Sequence, residues 1–181
     1  MEIKENLFQA DTLIENVTFK IAEKTEDLKQ RVMALLHEYP NHFVPGLFEA
    51  AAEQDFGASD IMTAVQGDTI VGCLMFNRVT NEFNWLAVSK EIKGPKSGIA
   101  KQLFENFYPT IEPGTTVRMF PNTEDSFIPG VESFSGANFE AARNLYRSMG
   151  FELTEENIIR DHYGEGGHVY KVEWKIGEDK K

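Results

Sequence analysis

Val17, Phe19 and Ile21 alternate with Thr18, Lys20 and Ala22, the period-two pattern of a half-buried strand. The period then lengthens. Thr25 offers a helix N-cap, Glu26 and Asp27 follow where the helix dipole favours acids, and Leu28, Val32, Leu35 and Leu36 recur at helical spacing until Pro40. A second short helix is predicted from near Pro45-Gly46, carrying Leu47, Phe48, Ala51 and Ala52. Residues 61–66 and 69–76 read as strands joined by Gly67-Asp68, a two-residue hairpin signal. The next strand spans 81–88. Its alternation puts Glu82, Asn84 and Leu86 on one face and Phe83 and Trp85 on the other. A Gly/Pro loop over 93–98 leads to a helix with Ile99, Leu103, Phe104 and Phe107 on one side, ending before Pro109. A strand over 115–120 and a long loop over 121–137 follow. Asn138 is expected to cap a helix carrying Phe139, Ala142, Leu145, Tyr146 and Met149 and closed by Gly150. Two last strands, near 151–158 and 168–175, flank the turn Gly164-Glu165-Gly166-Gly167.

The order β-α-α-β-β-β-α-β-α-β-β predicts an α/β fold: one mixed α+β sheet with helices on its faces. Residues 17–176 read as a single domain between an extension over 1–16 and a frayed tail over 177–181. A chain of 181 residues can bury enough surface to fold without disulfides or metal. Its one cysteine, Cys73, excludes an internal disulfide and a cysteine-based metal cluster. The start lacks the basic and apolar regions of a signal peptide, and no apolar run is long enough for a membrane span, so the cytoplasm is the expected compartment. With 18 Lys+Arg against 29 Asp+Glu, the net charge is −11. Such a surface repels duplex nucleic acid and anionic lipid, which argues against both as partners, and it tolerates cationic amines.

The chemistry concentrates over 82–101. A strand ends at Val88, a glycine loop follows, and a helix opens at Gly98-Ile99. That junction gathers backbone N–H groups and the positive helix end, which suits a phosphate. Lys90, Lys93, Lys96 and Lys101 fall in the same stretch, a local excess of positive charge in an acidic chain. The loop is neither a Walker A motif nor Gly-x-Gly-x-x-Gly, and a plain solvated loop with ordinary lysines remains open.

Phe83-Asn84-Trp85-Leu86-Ala87-Val88 followed by Gly98-Ile99-Ala100-Lys101-Gln102-Leu103 resembles the acetyl-CoA loop of the GNAT superfamily of N-acetyltransferases. Gly98 and Ala100 match its Gln/Arg-x-x-Gly-x-Gly/Ala motif, with Pro95 at the Gln/Arg position. Ala142-Arg143-Asn144-Leu145-Tyr146-Arg147-Ser148-Met149-Gly150-Phe151 resembles the family's Ala-x-x-Leu-Tyr-x-x-x-Gly-Phe helix, with Phe139 where Asn is frequent and Asn138 one residue early. The resemblance implies a GNAT-like acyl-CoA N-acyltransferase fold and transfer of acetyl from acetyl-CoA to a primary amine of a small molecule or protein, without metal. It implies that the backbone of Leu86, Ala87 and Val88 pairs with the pantetheine arm. Lys93, Lys96, Ser97, Gly98, Ile99, Ala100 and Lys101 would hold the pyrophosphate, and Asn138 would contact CoA. Glu82 is the candidate base. It lies about 13 Å along the strand from Leu86 at ~3.3 Å per residue, which suits action through water or a grip on a cationic acceptor. Tyr146 is the candidate acid for the leaving thiolate. The loop over 121–137 is expected to help form the acceptor pocket. A non-catalytic CoA or acyl-CoA binding or sensing module on the same fold is the alternative, and pairing into a homodimer is left open.

Other constellations carry less. His37-Glu38-Tyr39-Pro40-Asn41-His42 is one residue too long for a zinc protease motif, and Pro40 breaks the helix that would align the ligands. Cys73 reads as a small core residue, and Asp161, His162 and His168 as surface turn and strand residues.

Overall fold

The alternating segments pair into one six-stranded sheet. The structure, a computed structural model, describes residues 16–39, 48–92, 98–128, 136–151 and 153–177. Strand β1 (Val17–Ile21) lies antiparallel to β2 (Ser59–Gln66), with Val17 opposite Gln66. Gly67, at a φ of 59° that glycine adopts without strain, turns β2 into β3 (Thr69–Asn77). β3 lies antiparallel to β4 (Glu82–Val88). β5 (Thr116–Met119) runs parallel beside β4, and β8 (Val172–Lys175) closes that side antiparallel to β5, giving the order β1-β2-β3-β4-β5-β8.

Helices cover both faces. On one, α1 (Glu26–His37) and α2 (Phe48–Ala58) set Leu28, Val32, Leu35, Leu36, Phe48, Ala52 and Phe56 against Ile61, Ile70, Cys73 and Met75. Thr25 caps α1, its hydroxyl accepting from the Leu28 N–H at 3.1 Å. On the other face, α3 (Ile99–Phe107) sets Ile99, Leu103, Phe104 and Phe107 against Met62, Ala64, Leu74, Phe76 and Phe83. Met149, just past α4 (Gly136–Ser148), joins the same core. β3 is buried on both faces, which explains its unbroken apolar run. Gly72 lets α3 press close: a Cβ there would stand 2.9 Å from Ile99 Cγ2 and 3.2 Å from Leu103 Cδ1. α4 ends at Gly150, at φ 85°, in a Schellman motif, with Phe151 N bonded to Tyr146 O at 3.1 Å and Gly150 N to Arg147 O at 2.9 Å.

Four expectations are corrected. The strand read near 151–158 is instead a 3₁₀ turn at Glu155–Asn157 leading into the two-residue β6 (Ile158–Ile159). The strand read near 168–175 is split into β7 (Val169–Tyr170), which pairs with β6 in a separate two-stranded sheet, and β8. The cause lies in the backbone partners. Tyr170 N bonds Pro121 O and Lys171 N bonds Asn157 O, both at 2.7 Å, so this stretch cannot continue the ladder to β5. Asn138 is not the cap of α4: the helix opens at Gly136, which puts Asn138 inside its first turn, where the backbone is already helical. The face assignment in β4 also fails. Met75 opposes Trp85 but Phe76 opposes Phe83, so a bulge at Asn84 shifts the phase. Phe83 and Leu86 then pack on the α3 face, and Trp85 and Ala87 on the α1/α2 face.

Candidate functional site

Among the described residues, β4 is paired along its whole length on one edge and at one point on the other. Against β3 the register runs from Gly72↔Val88 to Asn77↔Glu82. Against β5 it consists of Glu82↔Arg118, next to a bond from Arg118 N to Asn81 O at 2.9 Å. Antiparallel pairs alternate between hydrogen-bonded and non-bonded. Ser89 N bonds Val71 O at 2.9 Å, so Ala87 spends its backbone groups on β3, while those of Leu86 and Val88 point to the open edge. Of the three residues expected to pair with a pantetheine arm, Leu86 and Val88 therefore turn backbone groups to the open edge, and Ala87 contributes a buried side chain to the core.

At the Val88 end, Gly98 stands at φ 69° before α3, without a side-chain cap. The first turn of α3 supplies N–H groups that no earlier turn can accept. Ala100 and Lys101 lie there, half-buried, with the Lys101 ammonium 3.7 Å from Glu105. Ile99 anchors that turn through a side chain buried in the core. Lys93, Lys96 and Ser97 lie outside the described residues, as does the side chain of Asn138. Lys90, of the same lysine group, is turned back with its Nζ 4.6 Å above the Tyr39 ring.

At the opposite end, charges and phenols gather. Glu82 pairs with Arg118 at 3.5 Å. Turned away from Phe83, it lies on the face of α2, where Asp55 accepts a hydrogen bond from Trp85 Nε1 at 2.6 Å. Burial raises the Glu82 carboxyl above the ordinary carboxylate range; Arg118 opposes that shift and Asp55 adds to it. Tyr146 is half-buried, and burial pushes its phenol up to about 12, with a further push from Tyr163. Tyr163, although 49% exposed, has its phenol raised as well, by desolvation first and then by Glu82 and Asp55. Tyr163, which the sequence reading missed, interacts electrostatically with both residues read as catalytic, Glu82 and Tyr146. Asp55 and Arg118 were also missed: a lone acid in a helix and a lone base in a strand give no local signal. Tyr163 had one, an aromatic beside His162 in a glycine-rich turn. Asn84, at the bulge, keeps its amide oxygen buried without a hydrogen-bond partner among the described residues.

Tyr163 is held by the loop that precedes α4. The turn 160–167 laces onto residues 121–128: Phe127 N bonds Gly166 O at 2.9 Å, Thr123 N bonds His168 O at 3.2 Å, and Arg160 meets Asp125 at 3.0 Å. Gly166 sits so close that a Cβ would fall 2.2 Å from the Phe127 carbonyl oxygen. His162 stacks on Phe120 with centroids 4.7 Å apart. Cys73 is fully buried, and burial pushes its thiol up to about 12, which suits a core residue. Among the described residues, no helix is long and apolar enough to cross a membrane.

Compared by sequence, the chain matches no protein-family model and no curated protein. Compared by structure, it has the fold of the GNAT acetyltransferases. The aminoglycoside 6'-N-acetyltransferase from Enterococcus faecium superposes with a TM-score of 0.63 at 14% identity, over 91% of this chain and 99% of that one. The ribosomal-protein-S18-alanine N-acetyltransferase from Escherichia coli gives 0.60 at 16%, over 91% and 97%. A GNAT family acetyltransferase from Elizabethkingia anophelis with acetyl-CoA bound gives 0.59 at 12%, over 90% and 99%.

Proposed function

We propose that this chain is an N-acetyltransferase that moves an acetyl group from acetyl-CoA to a primary amine, with the amine entering beside Glu82 and Asp55. The observation that carries the reading is the unequal pairing of β4. Its open edge offers Leu86 and Val88 to an extended ligand, and it runs from a glycine-opened helix start to a carboxylate–phenol cluster. Structural neighbours named as N-acetyltransferases, and one holding acetyl-CoA, support the same reading.

Acetyl-CoA would supply an activated thioester carbonyl. Around it the chain's residues divide the work. Backbone N–H and C=O groups of Leu86 and Val88 align the arm, and the start of α3 holds the pyrophosphate. Glu82, with a raised carboxyl pKa, takes the ammonium proton through water and so frees the amine to attack. Asp55 and the unsatisfied Asn84 amide oxygen suit a donor-rich, cationic group. Tyr146 hydrogen-bonds the departing sulfur. A phenol near 12 surrendering its proton outright to a thiolate of conjugate pKa near 8.5 is uphill by roughly 5 kcal/mol, so Tyr146 acts as a fixed donor, with water taking the role of final proton source.

Calorimetric titration with CoA and a thiol-release assay across a panel of amines test the proposal. CoA binding with amine-dependent thiol release is expected. Binding without release for any amine would make the chain a CoA-binding or sensing module, and a preference for ATP or NAD over CoA would reject both.

A further inference from the structure

The C-terminal end of α1 is tied to the exit of β4 by a set of polar contacts that the sheet itself does not need. Glu38, the C-cap residue of α1, takes the Ser89 hydroxyl at 3.0 Å and the Lys90 N–H at 2.7 Å on its carboxylate. The next residue, Tyr39, donates its hydroxyl to the carbonyl oxygen of Val88. Lys90 folds its ammonium over the Tyr39 ring. Ser89 is 6% exposed, and its hydroxyl oxygen also accepts from Glu91 N at 3.3 Å. Ile92 N bonds Ser89 O at 3.2 Å. Residues 88–92 are thereby held from within and from α1, at the point where the open edge of β4 passes into the glycine loop.

The location matters because the Val88 carbonyl belongs to that open edge. Tyr39 takes one of its lone pairs and leaves the second, and the Val88 N–H, toward the open edge. A charged acceptor with two donors on it also holds a turn more firmly than neutral bonds do.

We propose that Glu38 and Tyr39 are positioning residues for the acyl-CoA ligand: they pre-set the turn 88–90 so that the arm and the pyrophosphate are aligned before binding. The inference rests on the acetyl-CoA reading above. Pre-organisation lowers the ordering cost that binding would otherwise carry.

The test combines amide hydrogen exchange with calorimetry and kinetics on the full chain. Glu38→Ala and Tyr39→Phe should speed exchange at Ser89, Lys90 and Glu91 and leave β3 amides unchanged. Glu38→Ala should weaken CoA binding by roughly tenfold, the scale of one hydrogen bond involving a charged group, and Tyr39→Phe by about fivefold, the scale of a neutral one. The KM for acetyl-CoA should rise by a similar factor while the KM for the amine stays put, and Glu38→Gln should recover part of the loss. Ser89→Ala, which removes one donor only, serves if Glu38→Ala does not fold. Unchanged exchange, or CoA affinity equal to wild type, would overturn the role, as would tighter binding by Tyr39→Phe, which would mean that the hydroxyl competes with the ligand. If the wild-type chain binds no CoA, the acetyl-transfer reading falls and this role falls with it. If the wild type binds and the variants bind equally well, this role alone falls.

Discussion

The two edges of β4 are made by the same seven residues and have opposite fates. The β3 edge is a continuous antiparallel ladder interrupted by one bulge, and its residues bury apolar side chains on both faces. Among the described residues, the β5 edge is joined only at Glu82↔Arg118. A parallel partner needs a crossover to reach it, here through α3, whereas β3 passes directly into β4 over 78–81. The difference teaches where binding energy is available. A ladder already closed within the sheet has nothing left to offer a ligand, whereas a strand edge left open inside a covered sheet is a template for one more extended partner. The bulge at Asn84 sharpens the division. It turns Glu82 toward α2 and Asp55 and leaves Leu86 on the α3 face, so that in the proposed function one strand would serve both a cofactor end and an acceptor end.

The largest expected effect breaks the cofactor end. Gly98→Val puts a β-branched residue at φ 69°, a conformation such residues rarely adopt, at the turn that aims the start of α3. CoA affinity should fall by about a hundredfold or more, read as loss of the CoA-induced rise in Tm. The next separates chemistry from binding on the open edge. Tyr146→Phe should lower kcat by roughly 10- to 100-fold with CoA affinity near wild type, read by steady-state kinetics beside a binding titration. An unchanged kcat, with chemistry rate-limiting, would return Tyr146 to a packing role.

Glu82→Gln tests the acceptor end. A base works only in its charged form, so kcat/KM should rise with pH through the Glu82 pKa. Because burial raises that pKa, the rising limb should lie above the ordinary carboxylate range. The substitution should flatten the limb and cost about tenfold in kcat/KM at neutral pH. A change confined to the KM of cationic amines would make Glu82 an anchor. The smallest effect concerns how Tyr163 is held. Gly166→Ala sets a methyl against the Phe127 carbonyl, so the turn must shift. A loss of about 2 kcal/mol is expected, or roughly 6 °C in Tm, with kcat/KM lowered by about threefold. An unmoved Tm would show that the turn and the loop are only loosely joined.

Much of this was legible in the chain. Thr25, the Gly67 turn, the faces of α1 and α3 and the Gly150 cap follow from local spacing and backbone preference, and each appears as read. The last strands did not. Residues 168–175 alternate well enough for a single strand, and only their distant partners, Pro121 O and Asn157 O, divide them. The site shows the same split. Gly98, Leu86, Val88, Glu82 and Tyr146 can be proposed from the sequence because motif and strand position mark them. Glu38 and Tyr39 entered only as part of a failed metal motif, because their partners stand about 50 residues away, at Val88, Ser89 and Lys90.

By itself, then, the sequence determined what short-range physics can specify: the faces of α1 and α3, the Thr25 and Gly150 caps and the Gly67 turn. Tertiary structure alone decided which edge of β4 stays open, where its phase slips at Asn84, and that Tyr163 and Asp55 join Glu82. Those outcomes depend on non-local pairing. Whether a backbone group finds its partner depends on segments far away in the chain, and a carboxylate's pKa depends on burial that no local pattern encodes.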